Sequence, residues 1–467
     1  MNALRADKGM DMTTGKLLPK LLAFAVPLAL SGVLQLLFNA VDLIVIGNFS
    51  STRVVSLAAV SSNNSLINLF VNVAIGVSLG ANVVMAQALG EGNKEKCERT
   101  VHTAMLLSLL IGVVIMVIGV VFARDFLVLM QANSEVIDKA YTYLFIYFFG
   151  APANVVYNFG AALLRAKGDT RRPLIYLTIA GVVNVVLNVI LVVPVKMDVA
   201  GVALATIVSQ YVSALLVVFT LLREKGELRL VLKKLRFHKA ELLHILRIGL
   251  PSGILSSFFS VANIIIQSAM NTFSAAAIAG NATGIAIEAF IYTSMNAVAS
   301  TASTFAGQNF GAGKYKRIKR VMWDCCMIEA VLGIALGALF MLLRYRLAAI
   351  YSPEEPVIEV AASRMMYILP FYFVCGVVEV LVGCMRGMNY AVLPPIASFL
   401  CVCVYRIIWV FTYFRAKGTM QTLWLSYPIS WILNLFMDAV MIFFVFRAVF
   451  RKAEEKGESG ESLATDE

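Results

Sequence analysis

The sequence predicts an all-α integral membrane protein: twelve transmembrane helices in two pseudo-symmetric six-helix lobes around a central cleft. Three observations carry that expectation. Of the 467 residues, 60% are hydrophobic and 14% charged, whereas soluble domains run near ~45–50% apolar and about 25% charged. Twelve apolar stretches recur along the chain, each near the roughly 20 residues that a membrane helix needs. The second half also repeats the first at a nearly constant offset. So much apolar sequence has no place in one water-soluble core, because single cores stop growing near ~250–300 residues. A soluble enzyme, a transcription factor, a secreted disulfide scaffold and a disordered chain are thereby excluded.

The stretches fall at 21–46, 55–85, 101–123, 141–163, 174–195, 199–222, 248–272, 276–305, 322–343, 366–385, 393–414 and 421–446. A strand-built barrel would instead show alternating segments of about 10 residues. The first stretch reads as a retained helix, since it is too long for a signal-peptide core and no small-residue cleavage site follows it. The expected organisation is a cytoplasmic N-terminal tail (1–18), a first lobe (19–222), a basic cytoplasmic linker at the surface (223–243), a second lobe (244–447) and a polar, disordered tail (448–467).

Charge sets the orientation. Lys and Arg number 28 on the side that holds both tails and 8 on the other, with Arg247, Arg364 and Arg406 inside or at the edge of helices. That bias places both termini in the cytoplasm of a plasma-membrane protein. The net charge of +11 then reads as positive-inside loops near lipid headgroups, not as a nucleic-acid surface. The seven cysteines are odd in number and form no CxxC, which argues against a disulfide framework or a zinc site. Only three histidines are present. No Walker A sequence occurs, and the GEG and GAG triplets are turns between helices rather than dinucleotide fingerprints. The expected partners are the bilayer and small organic substrates, with no cofactor, no nucleic acid and no obligate protein partner.

The duplication is legible residue by residue. Pro27, Asn39 and Phe49 recur as Pro251, Asn263 and Phe273 at an offset of 224. Gln87, Gly90 and Gly92 recur as Gln308, Gly311 and Gly313 at 221, as do Arg165, Pro173 and Ser209 as Arg386, Pro394 and Ser430. Six helices return the chain to its starting side, so the repeats are parallel, and two such lobes rocking about a cleft give alternating access.

The same residues carry a family likeness. The spacing Pro27…Asp42…Gly47, the AQALGEGN turn, LLRAKGDTRRP at 163–173, VAGVALATIVSQ at 199–210 and GQNFGAG at 307–313 resemble the multidrug and toxic compound extrusion family over about residues 16–447. The resemblance implies a two-lobed, twelve-helix antiporter, not an enzyme, that expels organic and often cationic compounds in exchange for Na+ or H+.

Charges inside a membrane are functional candidates by default; here they are Asp42, Glu288, Glu379, Arg406 and Asp438. Ser31, Gln35, Asn39 and Asp42 are spaced four, four and three apart and share one face of the first helix. Polar groups on one face must point into protein or a wet cavity. Asp42 is an acid only in the first lobe, for its counterpart is Ile266, and Gln35 becomes Phe259. Asn184 and Asn188 lie one turn apart on the fifth helix, and Thr206 follows Val202 by one turn on the sixth. One carboxylate, two amide oxygens, a hydroxyl and the Val202 carbonyl would suit Na+, a hard cation. The resemblance implies the same set, since the family's cation site uses a first-helix Asp, a helix-five polar pair and a helix-six Thr. Some proton-coupled relatives carry a second acid where Asn188 stands here, which favours Na+ modestly; Asp42 alone could still carry H+.

In the second lobe, Glu288 and Glu379 are candidate cavity acids for cationic substrates, while Glu379 or Asp438 could instead pair with Arg406. Asn64, Asn68 and Asn72 form a second polar stripe that could line the cleft, and Gln35 and Asn39 join them as substrate candidates. Two alternatives stay open: a lipid-linked oligosaccharide flippase, which would line its cleft with basic residues, and a membrane-embedded transferase, which would need a convergent catalytic cluster.

Overall fold

A computed structural model describes residues 9–50, 53–129 and 136–455, without the side chains of 53, 54, 57, 61, 62, 64 and 65. Every regular element among the described residues is helical, as hydrocarbon requires, because a helix pairs its own backbone polar groups. The first half comprises α1 (Leu17–Phe49), α2 (Arg53–Gly90), α3 (Lys94–Leu129), α4 (Ile137–Phe148), α5 (Ala151–Ala166), α6 (Arg171–Val192) and α7 (Asp198–Arg223). The second comprises α8 (Lys239–Met270), α9 (Ala275–Gly311), α10 (Tyr315–Tyr351), α11 (Glu355–Ile368), α12 (Tyr372–Gly387), the short α13 (Leu393–Ser398), α14 (Tyr405–Trp409) and α15 (Arg415–Lys417), and α16 (Met420–Glu455). π-Helical turns at Phe399–Val404 and Val410–Phe414 join α13 to α15 into one rod.

Eleven helical stretches among the described residues are long and apolar enough to cross a membrane. The twelfth crossing is α4 with α5, which are 12 and 16 residues long and separated at Phe149–Gly150. The second half breaks at the equivalent place, where the 3-10 turn Leu369–Phe371 joins α11 to α12. Pro370, inside that turn, has no N–H to continue an α ladder.

Two boundaries differ from expectation. The tail assigned to 448–467 is helical through Glu455, because Arg, Lys, Ala and Glu are strong helix formers and Arg451 faces Glu455 one turn on at 3.7 Å. Residues 456–467, like 1–8, lie outside the described part. The linker at 223–243 is not a loose surface segment. Leu228 and Leu230 are buried while Arg229 between them is exposed; a turn closed by Arg229 N–H to the Gly226 carbonyl at 3.1 Å, and Leu230 N–H donating to the Leu221 carbonyl at 2.9 Å, fold the strip back on the end of α7. Its backbone is also tied to α3: Val231 N–H donates to His102 Nε2 at 3.1 Å and His238 N–H to Thr103 Oγ1 at 3.1 Å. From Lys239 onward the chain is already α8.

The chain forms two compact units. Among the described residues, one contains 9–11, 30–89 and 93–253; the other contains 12–29, 90–92 and 254–455. The division therefore departs from 19–222 and 244–447. The first part of α1 belongs with the second half, and the first part of α8 with the first half. Each helix changes unit two residues after its internal proline, Pro27 or Pro251, where the ring leaves one ladder bond unmade. Within the second unit, Arg317 Nη2 donates to the carbonyls of Thr14 (2.7 Å) and Gly15 (2.8 Å), and Phe24 meets Phe305 edge to face at 5.6 Å. Within the first, α8 approaches α2 so closely that a Cβ on Gly76 would collide with the backbone of Gly253.

The LLRAKGDTRRP turn of the first unit holds the end of α7. Arg172 pairs with Asp169 and, at 3.2 Å, with Glu224; Lys167 pairs with Glu224 at 2.7 Å. Burial works against the Glu224 carboxylate, yet the Lys167 and Arg172 cations outweigh it and hold the group below its ordinary value of 4.5. A carboxyl with a lowered folded pKa stabilises the fold above its unfolded pKa and loses that contribution as pH falls through the folded one. Glu224→Gln is thus expected to cost about 3 kcal/mol at neutral pH, by leaving Lys167 without a carboxylate and Arg172 with Asp169 alone. The variant should also lose less stability than the wild type as pH falls below 4.5. Thermal unfolding of detergent-solubilised protein across pH measures both effects.

Candidate functional site

The five residues read as a cation site come together in the first unit. Gly181 makes this possible: a Cβ there would collide with the ring of Phe38, so its absence lets α1 settle against α6. One turn beyond Phe38 the half-buried Asp42 meets Asn188, whose Nδ2 donates to Asp42 Oδ1 at 2.5 Å and to Asn184 Oδ1 at 3.1 Å. Asn184 Nδ2 reaches Thr206 Oγ1 at 3.4 Å, and that hydroxyl donates to the Val202 carbonyl at 2.9 Å. The i, i+4 spacings on α6 and α7 become two rungs of one ladder ending on a carboxylate. Asn188 Oδ1 is buried and accepts no hydrogen bond. One carboxylate and four neutral oxygens could serve as the donor set of a single hard cation.

A second cluster, missed in the sequence, pins the helix ends one turn below Val202. Asp198 opens α7 and accepts from Ser50 Oγ (2.6 Å) and Ser56 Oγ (3.0 Å), and it pairs with Lys139. The ends of α1, α2, α4 and α7 thus share one carboxylate. The signal is weak, because Asp198 and its three partners come from separate parts of the sequence.

Other expected residues are placed differently. Gln35, Asn39 and Asn68 are exposed, and among the described residues none joins the Asp42 network. The side chain of Asn64 lies outside the described residues. Its neighbour Asn63 is buried and donates to the Ala140 carbonyl at 2.9 Å, which serves packing between α2 and α4.

In the second unit Glu288 is not a free cavity acid. Arg364 holds it in a two-pronged pair, Nε to Oε1 and Nη2 to Oε2, both at 2.9 Å. Arg364 Nη1 and Trp424 Nε1 both donate to Asn281 Oδ1, at 2.9 and 3.1 Å. Planar forks of this kind are the strong form of the ion pair. Glu379 is half-buried and accepts from Tyr292 Oη at 3.4 Å. Neither Glu379 nor Asp438 pairs with Arg406 among the described residues. That guanidinium donates instead to Ser430 Oγ (3.1 Å) and Asn263 Oδ1 (3.0 Å) and lies 4.1 Å from the Tyr427 ring centroid. Both carboxyl oxygens of Asp438 are buried without a hydrogen-bond partner, and so are those of Glu329 on α10. Glu329 was overlooked although it stands inside the 322–343 stretch, where any acid is notable.

The comparisons with known proteins follow the same two halves. The profile of the MatE family matches residues 27–190 and 251–412. The probable multidrug resistance protein YoeA of Bacillus subtilis is 27% identical over 92% of this chain and 94% of its own length. A FAD transporter of Shewanella oneidensis is 24% identical over 69% of this chain and 72% of its own. Among solved structures, a MATE in complex with MaL6 superposes with a TM-score of 0.89 at 20% identity, over 96% of this chain and 100% of that one.

Removing Arg364 would leave Glu288 buried without its partner. Arg364→Leu is expected to cost about 3–5 kcal/mol, and adding Glu288→Leu should recover most of it. Denaturation of the four proteins of this cycle in detergent measures the coupling. Losses that simply add would refute the pair.

Proposed function

Because this chain belongs to the MatE family of multidrug and toxic compound extrusion transporters, we propose that it exports amphipathic organic compounds in exchange for Na+ or H+ bound at Asp42. It works by alternating access in the plasma membrane, with both termini in the cytoplasm. The observation that carries this reading is the Asp42–Asn188–Asn184–Thr206–Val202 network.

The network suggests how occupancy is sensed. In the structure the Asn188 amide turns its N–H toward Asp42. A half-turn of that amide exchanges donor for acceptor and offers Oδ1, which accepts no hydrogen bond, to a cation on Asp42. Na+ is favoured because Asp42 is the only carboxylate in the set; H+ would reside on Asp42 itself. The charge bias of 28 basic residues to 8 supports cytoplasmic termini.

One relative is named for multidrug resistance and another for FAD transport, and amphipathic organic compounds cover both. A preference for cationic substrates has less support, since of its two candidate cavity acids Glu288 is committed to Arg364. One inward monovalent cation across about 100 mV supplies roughly 2.3 kcal/mol, and a tenfold ion gradient adds about 1.4 kcal/mol. For a neutral compound that sustains an export gradient of a few hundredfold.

Proteoliposomes loaded with ethidium, under separately imposed Na+ and pH gradients, test the reading and identify the ion. Asp42→Asn is expected to stay folded and membrane-inserted but to lose ion-driven efflux entirely. Undiminished ion-driven efflux by that variant would refute the assignment.

A further inference from the structure

The duplicated scaffold contains a second polar cluster at the place equivalent to the Asp42 site, and its charge is reversed. At the offsets of the repeat, Asp42 becomes Ile266, Asn184 becomes Tyr405, Val185 becomes Arg406, Thr206 becomes Tyr427, and Ser209 is kept as Ser430. The structure gathers these counterparts within the second unit. Arg406 is 1% exposed and lies over Tyr427, with Nε and Nη2 donating to Ser430 Oγ at 3.3 and 3.1 Å. Its Nη1 donates at 3.0 Å to Asn263, the counterpart of Asn39.

Four features set this place apart from a structural arginine. Arg364 shares the Tyr427 ring at 5.0 Å but has its carboxylate, Glu288; Arg406 has none among the described residues. A guanidinium carries five N–H groups, and three of them are engaged, all by neutral oxygens. Beside it, the Tyr405 hydroxyl is buried with no hydrogen-bond partner. Finally, the rod departs from α geometry on both sides of Arg406, at Phe399–Val404 and Val410–Phe414, whereas its counterpart α6 is regular from Arg171 to Val192. π-Helical turns inside α-helices concentrate at functional positions.

A permanent cation in a membrane interior calls for a counter-charge, and none pairs with Arg406 among the described residues. The geometry points to a binding site for the acidic group, carboxylate or phosphate, of an amphipathic organic anion. Arg406 is its charge and Tyr405 its second donor. Asn263, whose side chain is exposed, covers Nη1, and displacing its amide oxygen opens the guanidinium fork to a two-pronged acid group. This deepens the efflux reading, on which it rests, by naming the charge of a substrate.

The test uses carboxyfluorescein and riboflavin 5′-phosphate as carboxylate and phosphate probes. Binding to the purified full-length protein is followed by fluorescence polarisation, and export by ion-driven efflux from proteoliposomes. Arg406→Gln is expected to weaken binding about tenfold or more and Arg406→Lys to restore part of it. Tyr405→Phe, which keeps the charge and the packing, should weaken binding about threefold. Asp42→Asn should bind both probes normally yet fail to export them. The inference is overturned if neither probe binds the wild type, or if Arg406→Gln and Tyr405→Phe bind as tightly as the wild type. Binding that depends on Arg406, without ion-driven export of any probe, would instead sink the efflux reading alone.

Discussion

A charge surrounded by hydrocarbon has no water to fall back on, so it must find a polar partner within the protein or be withdrawn from lipid. That constraint orders this molecule. Backbone groups meet it by forming helices. Three of the intramembrane charges meet it in three different ways: Asp42 through a ladder of neutral amides and a hydroxyl, Glu288 through the fork of Arg364, and Arg406 through neutral oxygens and an aromatic face. Only the second solution is closed, because opposite charges cancel inside it. The first leaves a net negative charge and the third a net positive one.

Duplication explains how one scaffold holds both solutions. Two copies of a six-helix unit begin with the same packing requirements, and the shared Pro27/Pro251 and Ser209/Ser430 record them. Helix packing constrains small residues and prolines, since a Cβ at Gly181 would push α1 away. A polar side chain in a partly wet site is freer to change, provided its partners change with it. The substitutions at the Asp42 and Arg406 positions are coordinated in that way: a carboxylate is matched with amide donors, a guanidinium with hydroxyl and amide acceptors.

The sequence discloses what depends on local pattern. Hydropathy locates the crossings, and the four-residue spacing of Asn184 and Asn188 puts them on one face, as the structure finds them. Resemblance supplied the link from that pair to Asp42. What stayed hidden depends on distance or on weak periodicity. The Glu288–Arg364 pair joins residues 76 apart, and no local rule chooses Arg364 over Arg406 as the partner. The inward leucines of the linker, Leu228 and Leu230, alternate over too few positions to stand out from a basic run. The change of unit inside α1 and α8 has only a proline to announce it, and Pro27 and Pro251 were read as markers of the repeat, not as the points where each helix changes neighbours.

The sign of the substrate charge decides how the membrane potential enters the exchange. A monovalent cation leaving against one entering moves no net charge, so only the chemical ion gradient drives export. A neutral compound adds one inward positive charge, worth about 2.3 kcal/mol per 100 mV. An organic anion carries negative charge out while the cation comes in; the two movements have the same electrical sense, and the contribution doubles to roughly 4.6 kcal/mol. A protein with a negative site in one unit and a positive site in the other is therefore not wasteful. In the proposed exchange the carboxylate at Asp42 would take the driving cation, and a positive site in the other unit would select the passengers for which the potential drives export hardest.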